Sequence, residues 1–295
     1  MNIKAKSIAA LVIILVLVTG CMPAWARNKT KEKSVELNFR SEEFHVMNGD
    51  VDLYGELYLP VEEKDEYPLI ILSHGLGSNA NAVGHHAKYF ATNGIAAYIF
   101  DVNHGGPGSR SGDADSDMTE LSPLTVTSDL SAVLEYFETL PFIDTDNIFL
   151  GGVSMGGFMS AFVSAQHPDE VKAIVLQSPG FSLSEQYKGI DPEELPETEE
   201  VRGMVLGKVF ALDSQTFDIY EMIANYKNDV LILHGDIDDI VDISYAYRAA
   251  EVYENATLSV YEGVDHSFAG SAKLDSEKEE LEFLLAHIAE RKDSP

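Results

Sequence analysis

Six short, mainly apolar segments separated by amphipathic stretches constrain the fold of this chain more than any other feature. Each has the length of a strand that is buried on both faces of a parallel sheet. They are 69–72, 95–100, 148–150, 171–176, 230–233 and 258–261. Between them lie helical patterns, of which the clearest has apolar residues three and four apart at Val126, Leu130, Val133, Leu134 and Phe137. The alternation predicts an α/β fold with a mostly parallel sheet.

An antiparallel hairpin is predicted ahead of this region. Residues 35–39 and 51–59 alternate apolar with polar side chains, and Asn48-Gly49-Asp50 comes just before the second run. Asn-Gly is a strong signal for a tight hairpin turn. We therefore expect an edge hairpin built from these two runs.

A serine lies between the third apolar segment and a helical pattern, in Gly152-Val153-Ser154-Met155-Gly156. A sharp turn from strand to helix forces its central residue into a strained conformation and brings backbones so close that side chains would collide. Glycines on both sides of Ser154 meet that requirement. The pattern predicts an exposed nucleophilic serine, although a bare G-x-S-x-G also arises by chance.

A serine hydroxyl becomes a good nucleophile only when a histidine removes its proton and a carboxylate orients that histidine. In this architecture the chain order is serine, acid, histidine. Asp238 follows the apolar segment 230–233, and His266 follows the segment 258–261. Because loops gather at the carboxyl edge of a parallel sheet, we expect Ser154, Asp238 and His266 to form a catalytic triad.

Two backbone N–H groups are expected to stabilise the developing negative charge of the reaction. One is the N–H of Met155, at the start of the helix, where the helix dipole adds to its effect. The other is predicted in the segment 73–78, as the N–H of Leu76.

Other residues of the sequence compete for the roles of the acid and the base. If the loop after segment 230–233 has a different register, Asp236 takes the place of Asp238 as the acid of the triad. Asp265 is expected instead to hold the conformation of its own loop. Five other histidines compete with His266. We expect His74 to brace the oxyanion loop and His234 to be a satisfied core residue, and His104 is a candidate to line the pocket. The other two are His85 and His86.

Besides the turn at Ser154, the chain has four further motifs, which are His74-Gly75, Met118-Thr119, Gly235-x-x-Asp238-x-x-Val241 and Glu262-Gly263-x-Asp265-His266. On that turn and these motifs, the chain resembles the α/β-hydrolase superfamily. The similarity runs from about residue 50 to 290. It is closest to the cinnamoyl/feruloyl-esterase-like and monoacylglycerol-lipase-like branch. The resemblance implies a mostly parallel sheet of about eight strands, helices on both faces and a small cap. It also implies a serine hydrolase that cleaves short-chain or hydroxycinnamoyl-type esters through an acyl-enzyme.

The first twenty residues have the pattern of a signal peptide, with Lys4 and Lys6 ahead of an apolar run from Ile8 to Val18. Val18-Thr19-Gly20-Cys21 resembles the lipobox of bacterial lipoproteins, in which the cysteine is lipidated. Residues 21–34 are polar and without period, as a tether would be. The sequence thus predicts an exported protein that a lipid on Cys21 anchors to a membrane, facing away from the cytoplasm.

The remaining residues, 35–295, are predicted to form one hydrolase domain with a cap inserted at about 181–228. A formal net charge of −29 argues against a nucleic-acid partner. No nucleotide-binding motif and no histidine pair at helical ligand spacing is present, so we expect neither a cofactor nor a metal. The sequence does not determine an oligomeric state.

The expected activity is hydrolysis of a small-molecule carboxylic ester. An exopeptidase, a thioesterase or an acyltransferase could use the same triad. A binding lipoprotein that has lost catalysis is the alternative from another class, and the complete triad argues against it.

Overall fold

Ten strands occur in residues 38–112 and 118–288, the part of the chain that the structure, a computed structural model, describes. They are β1 (Phe39–Asn48), β2 (Val51–Pro60), β3 (Tyr67–Ser73), β4 (Ala96–Phe100), β5 (Ile143–Val153), β6 (Ala173–Gln177), β7 (Thr198–Val201), β8 (Met204–Gly207), β9 (Asp229–Gly235) and β10 (Ala256–Tyr261). All except β7 and β8 belong to one sheet, in the order β1-β2-β4-β3-β5-β6-β9-β10. The strand β2 is antiparallel to both its neighbours in this sheet, and all the other pairs in it are parallel.

The first strand differs from its prediction. It begins at Phe39, where the predicted strand ends, and residues 35–37 lie outside the described part. Asn48 pairs directly with Val51, so Gly49 and Asp50 form a two-residue turn in which Gly49 has φ 59°. This tight turn requires pairing to start immediately before it, at residues too polar to be recognised as a strand.

Eight α-helices accompany the strands in the described residues. They are α1 (Gly84–Thr92), α2 (Pro123–Glu138), α3 (Met155–Gln166), α4 (Ser182–Glu185), α5 (Lys208–Ser214), α6 (Ile219–Ile223), α7 (Ser244–Val252) and α8 (Ser271–His287). The predicted helical face at residues 126–137 is confirmed in α2. This helix begins with a capping box between Ser122 and Thr125 and has proline in its first turn.

Alternate residues of β3 enter two different hydrophobic cores. Leu69 and Ile71 pack with side chains of α2 and α3, whereas Ile70 and Leu72 pack with side chains of α1 and α8. Because neighbouring residues of a strand point to opposite faces, the sheet has helices on both faces. The predicted α/β-hydrolase fold is therefore confirmed.

The alternation of strand and helix is interrupted between β6 and β9. This stretch contains α4, the antiparallel hairpin β7–β8, α5 and α6. The hairpin pairs Val201 with Met204, and its tip residues Arg202 and Gly203 both have positive φ. The insertion predicted over 181–228 corresponds to this stretch, which we call the cap segment.

The predicted signal peptide, Cys21 and the tether lie outside the described residues. None of the helices in the described part is long and apolar enough to cross a membrane.

Candidate active site

Ser154 forms the turn between β5 and α3. Its φ of 58° lies in the left-handed region, which is strained for a serine. A side chain on Gly152 would lie 2.4 Å from the backbone of Gly156, and one on Gly156 would lie 2.0 Å from the carbonyl oxygen of Ser73. Only glycine fits at either position. The turn is held by the Ser154 N–H, which donates to Gln177 O, and by the Ser154 carbonyl, which accepts from Gly180 N.

Leu76 lies in a tight turn directly after β3. The N–H of Ser78 donates to Gly75 O at 3.2 Å, and Gly77 has φ 67°, a value that favours glycine. A Cβ on Gly75 would lie 3.3 Å from the Cβ of Ser154, so this turn passes close to the serine. The described residues show no backbone hydrogen bond from the N–H of Leu76.

Met155 is the first residue of α3, where helix geometry leaves the N–H without an intrahelical partner. A Cβ on Gly180 would lie 3.2 Å from this nitrogen, so the loop after β6 packs against it. The N–H groups of Leu76 and Met155 thus belong to two segments that adjoin Ser154, the position at which the sequence predicts an oxyanion site.

The loops after β9 and β10 bring Asp238 and His266 together. Nδ1 of His266 donates to Oδ2 of Asp238 at 2.7 Å. The Asp238 side chain is fully buried, and that of His266 is 15% exposed. Since Nδ1 is occupied by the carboxylate, Nε2 of His266 is the nitrogen left to accept a proton from a serine.

Asp238 is held in its ionised form. Its Oδ1 accepts from the N–H groups of Ile240 and Val241, both at 2.9 Å. Burial alone would raise the pKa of Asp238, but hydrogen bonds from His234, His266 and these two N–H groups hold that pKa well below its usual range. The carboxylate therefore stays charged and can stabilise an imidazolium.

His234, which the sequence predicts to be a core residue, contributes to the site. Its side chain is fully buried, and its Nε2 donates to Val241 O at 2.9 Å and lies 3.2 Å from Oδ2 of Asp238. His234 thus contacts two residues of the loop after β9, Asp238 and Val241. The available signal was its spacing, four residues before the acid at the end of a buried strand.

The rival acids have other partners. Oδ1 of Asp236 accepts from Gly263 N at 2.6 Å, which ties together the loops after β9 and β10. Asp265 accepts from the N–H of Ser267, within its own loop. The acid that the structure brings to His266 is Asp238.

His74 lies behind the turn formed by residues 75–78. Its Nδ1 donates to Gly75 O at 2.9 Å, and its Nε2 accepts from Val102 N at 3.3 Å. Burial lowers the pKa of His74, although the Gly75 bond and the charge of Asp101 oppose the shift. A neutral imidazole with its proton on Nδ1 satisfies both contacts, so this residue links the turn to the end of β4.

A cavity of about 430 Å³ opens over these residues. Ser154, His266 and Leu76 line it on the side of the sheet edge. Leu183 and Met204 line it on the side of the cap segment. Its size suits a small organic ligand.

The remaining rival histidines differ in their position relative to this cavity. His85 and His86 line it, but they contact glutamates of α8 rather than Asp238. His104 is not among the lining residues. His266 is therefore the histidine that combines a place in the cavity wall with a bond to the buried acid.

Comparisons with known proteins agree with this architecture. The sequence model of the prolyl oligopeptidase family matches residues 81–291. The uncharacterized protein YcjY of Escherichia coli is 30% identical over 131 residues, which are 43% of this chain and 40% of that protein. A monoacylglycerol lipase of Mycolicibacterium smegmatis is 28% identical over 206 residues, 67% of each chain. The chain thus spans less than half the length of the first of these relatives.

Among solved structures, Est1E from Butyrivibrio proteoclasticus with bound ferulic acid is similar in fold. The TM-score is 0.76 and the sequence identity 23%, and the match covers 84% of this chain and 100% of that one.

Proposed function

The chain belongs to the prolyl oligopeptidase family, and on that premise we propose that it is a serine hydrolase that cleaves carboxylic esters through an acyl-enzyme on Ser154. The observation that carries the proposal is the 2.7 Å hydrogen bond between His266 and Asp238 at the wall of the cavity that Ser154 also lines. The substrate is a small-molecule ester with a short-chain or hydroxycinnamoyl-type acyl group.

In the first half of the reaction, Oγ of Ser154 attacks the ester carbonyl while Nε2 of His266 takes the hydroxyl proton. The N–H groups of Leu76 and Met155 stabilise the resulting oxyanion. Collapse of this intermediate breaks the bond to the alcohol oxygen, which receives the proton from His266. The alcohol leaves, and the acyl group remains on Ser154.

In the second half, His266 takes a proton from a water that attacks the acyl carbonyl. The intermediate collapses, Oγ of Ser154 leaves with the proton from His266, and the acid is released. Asp238 stays ionised throughout and stabilises the imidazolium of both halves.

The first test is labelling of the full chain with a fluorophosphonate, followed by mass spectrometry of the adduct. We expect a single adduct on Ser154, and none in Ser154→Ala. Ser160→Ala is a matched control that should be labelled like the parent chain, because Ser160 lies on α3 but is fully buried and bonded to Gly156 O. Labelling that persists in Ser154→Ala would refute the assignment of the nucleophile.

The second test is turnover of p-nitrophenyl acetate, butyrate and octanoate and of methyl ferulate. We expect hydrolysis of at least one ester, with kcat reduced by roughly 10³-fold or more in Ser154→Ala. Activity that is unchanged in that variant would overturn the proposed mechanism.

A peptidase activity is the second candidate, because the matching family is named for prolyl oligopeptidase. Turnover of aminoacyl and prolyl p-nitroanilides distinguishes the two functions. Faster cleavage of the anilides than of the esters would replace the esterase proposal by this one.

We also propose that Cys21 carries a lipid that anchors the protein to a membrane. The support is the sequence of residues 1–21, which lies outside the described part. Metabolic labelling with an alkynyl fatty acid should mark the wild-type chain and fail in Cys21→Ser. Equal labelling of both chains would refute the anchor.

A further inference from the structure

Two histidines and two glutamates that the proposed mechanism does not use lie together beside the cavity. His85 and His86 belong to α1, and Glu277 and Glu280 belong to α8. Nδ1 of His85 lies 2.5 Å from Oε1 of Glu277, and Nδ1 of His86 lies 2.8 Å from Oε2 of Glu280. The two imidazole rings contact each other, with 4.2 Å between their centroids and 33° between their planes.

Three of the four side chains in this cluster are buried, and that of His85 is 34% exposed. The side chains of Glu277, Glu280 and His86 are 6%, 4% and 4% exposed. Burial of two carboxylates is costly unless positive charge compensates it. Despite its short distance to Glu280, Nδ1 of His86 makes no aligned hydrogen bond within the described residues.

Three of these residues can converge on one ion. Ligand atoms of His85, His86 and Glu277 all lie within 4.8 Å of one another. Tetrahedral zinc, with bonds of about 2.0–2.2 Å, needs ligand atoms about 3.4 Å apart, which small side-chain rotations can supply. Two imidazoles and one carboxylate are a ligand set that zinc commonly takes.

We propose that His85, His86 and Glu277 bind a divalent transition-metal ion of the zinc type. Both histidines line the cavity, so an ion that they bind would lie beside it. Glu280 adds a second buried negative charge, and with Glu277 it balances the two charges of the ion. The site lies in the wall of the cavity that Ser154 lines.

The sequence predicts no metal here, because His85 and His86 are adjacent rather than one helical turn apart. Glu277 lies 192 residues further along the chain than His85, and it reaches the two histidines only because α1 and α8 pack on the same face of the sheet. Contact between such distant residues is not visible in the sequence pattern.

The test is calorimetric titration of the full chain with Zn²⁺, and with Co²⁺ followed by its visible absorption. A Cys21→Ser background removes the thiol as a competing ligand. We expect one ion per chain. With Co²⁺, we expect visible absorption bands with the intensity of a tetrahedral site. His85→Ala, His86→Ala and Glu277→Gln should each weaken the affinity at least tenfold.

Glu282→Gln is the matched control, since Glu282 lies on the same helix with its side chain 67% exposed. It should bind the ion as the parent chain does. Lys273→Gln should bind more tightly, because Lys273 lines the same cavity one turn before Glu277 and its charge opposes a cation.

The absence of stoichiometric binding would overturn the proposal, and so would an affinity that none of the three ligand variants changes. Thermal unfolding of each variant shows whether it is folded, and Glu277→Gln keeps the shape of the side chain if the alanine variants do not fold. Binding is measured in Ser154→Ala as well, so the result is independent of the proposed hydrolase activity.

Discussion

His234 shows how a buried residue can act on the site through another residue. It donates to Val241 O and lies against Oδ2 of Asp238, while the N–H of Val241 donates to Oδ1 of the same carboxylate. This closed set of contacts fixes the orientation of Asp238. His234 is therefore a positioning residue in the proposed mechanism.

We expect His234→Ala to lower kcat for ester hydrolysis roughly ten- to hundred-fold with a smaller change in KM, because a displaced Asp238 misorients His266. The unfolding free energy should fall by about 1–3 kcal/mol, since Val241 O loses its donor. His234→Gln, which retains an N–H donor, should restore part of kcat. An unchanged kcat in His234→Ala would contradict the positioning role.

The pH dependence of stability should contain a contribution from His74. Burial lowers its pKa from 6.5 in the folded state, so the unfolded chain takes up this proton first as the pH falls. The contribution of neutral His74 to the unfolding free energy is present above pH 6.5 and is lost as the pH falls below that value. We expect urea unfolding between about pH 7.5 and 5 to show a smaller loss of stability in His74→Gln.

His45 provides a control of opposite sign. Hydrogen bonds to Glu43 and Asp52 raise its pKa, so its stabilisation is present below pH 6.5 and is lost as the pH rises through the folded-state value. His45→Gln should therefore make the acid-side loss of stability steeper. If neither variant changes the slope of the unfolding free energy against pH, both contributions are excluded.

At the scale of elements, the hairpin β7–β8 packs against both sides of the site. A Cβ on Gly77 would lie 2.0 Å from Sδ of Met204, so the hairpin touches the turn of residues 75–78 that carries Leu76. Arg202 at its tip donates to Asp239 O at 3.2 Å, on the loop of the acid. The cap segment thus contacts the two loops on which the proposed chemistry depends.

Gly77→Ala should lower kcat, because the new methyl displaces Met204 and the left-handed backbone costs about 1–2 kcal/mol for alanine. Addition of Met204→Ala to the Gly77→Ala variant should recover part of the lost kcat, since it removes the clash and leaves the backbone strain. Steady-state kinetics of the two single variants and the double variant measure the difference. If the double variant is no better than Gly77→Ala, the contact with Met204 is not the cause.

The elements that sequence could predict are those with a local signature. Buried apolar runs indicated the central strands, and the glycines beside Ser154 indicated the turn between β5 and α3. The strand β1 was misplaced because its residues are mainly polar and its pairing follows from the Gly49 turn. The contacts of His234 and Glu277 could not be predicted, since they depend on how loops and helices meet in three dimensions.

For the molecule as a whole, the formal net charge of −29 produces self-repulsion in the folded state. We expect the Tm at about pH 8 to rise by several degrees as NaCl increases from about 0.02 to 0.5 M, because the Debye length falls from about 20 to 4 Å. The rise should level off within this range. A Tm that is independent of salt would show that repulsion does not limit stability.

The order of the chain also has a consequence for its synthesis. Ser154 leaves the ribosome about 110 residues before His266, which at roughly 5–20 residues per second is a delay of about 5–20 s. Throughout that interval Ser154 has emerged without its base, because the loop of His266 has not yet been made. Under the proposed mechanism, a nascent chain that lacks His266 cannot attack acyl compounds around it, and it acquires activity only after this histidine has emerged.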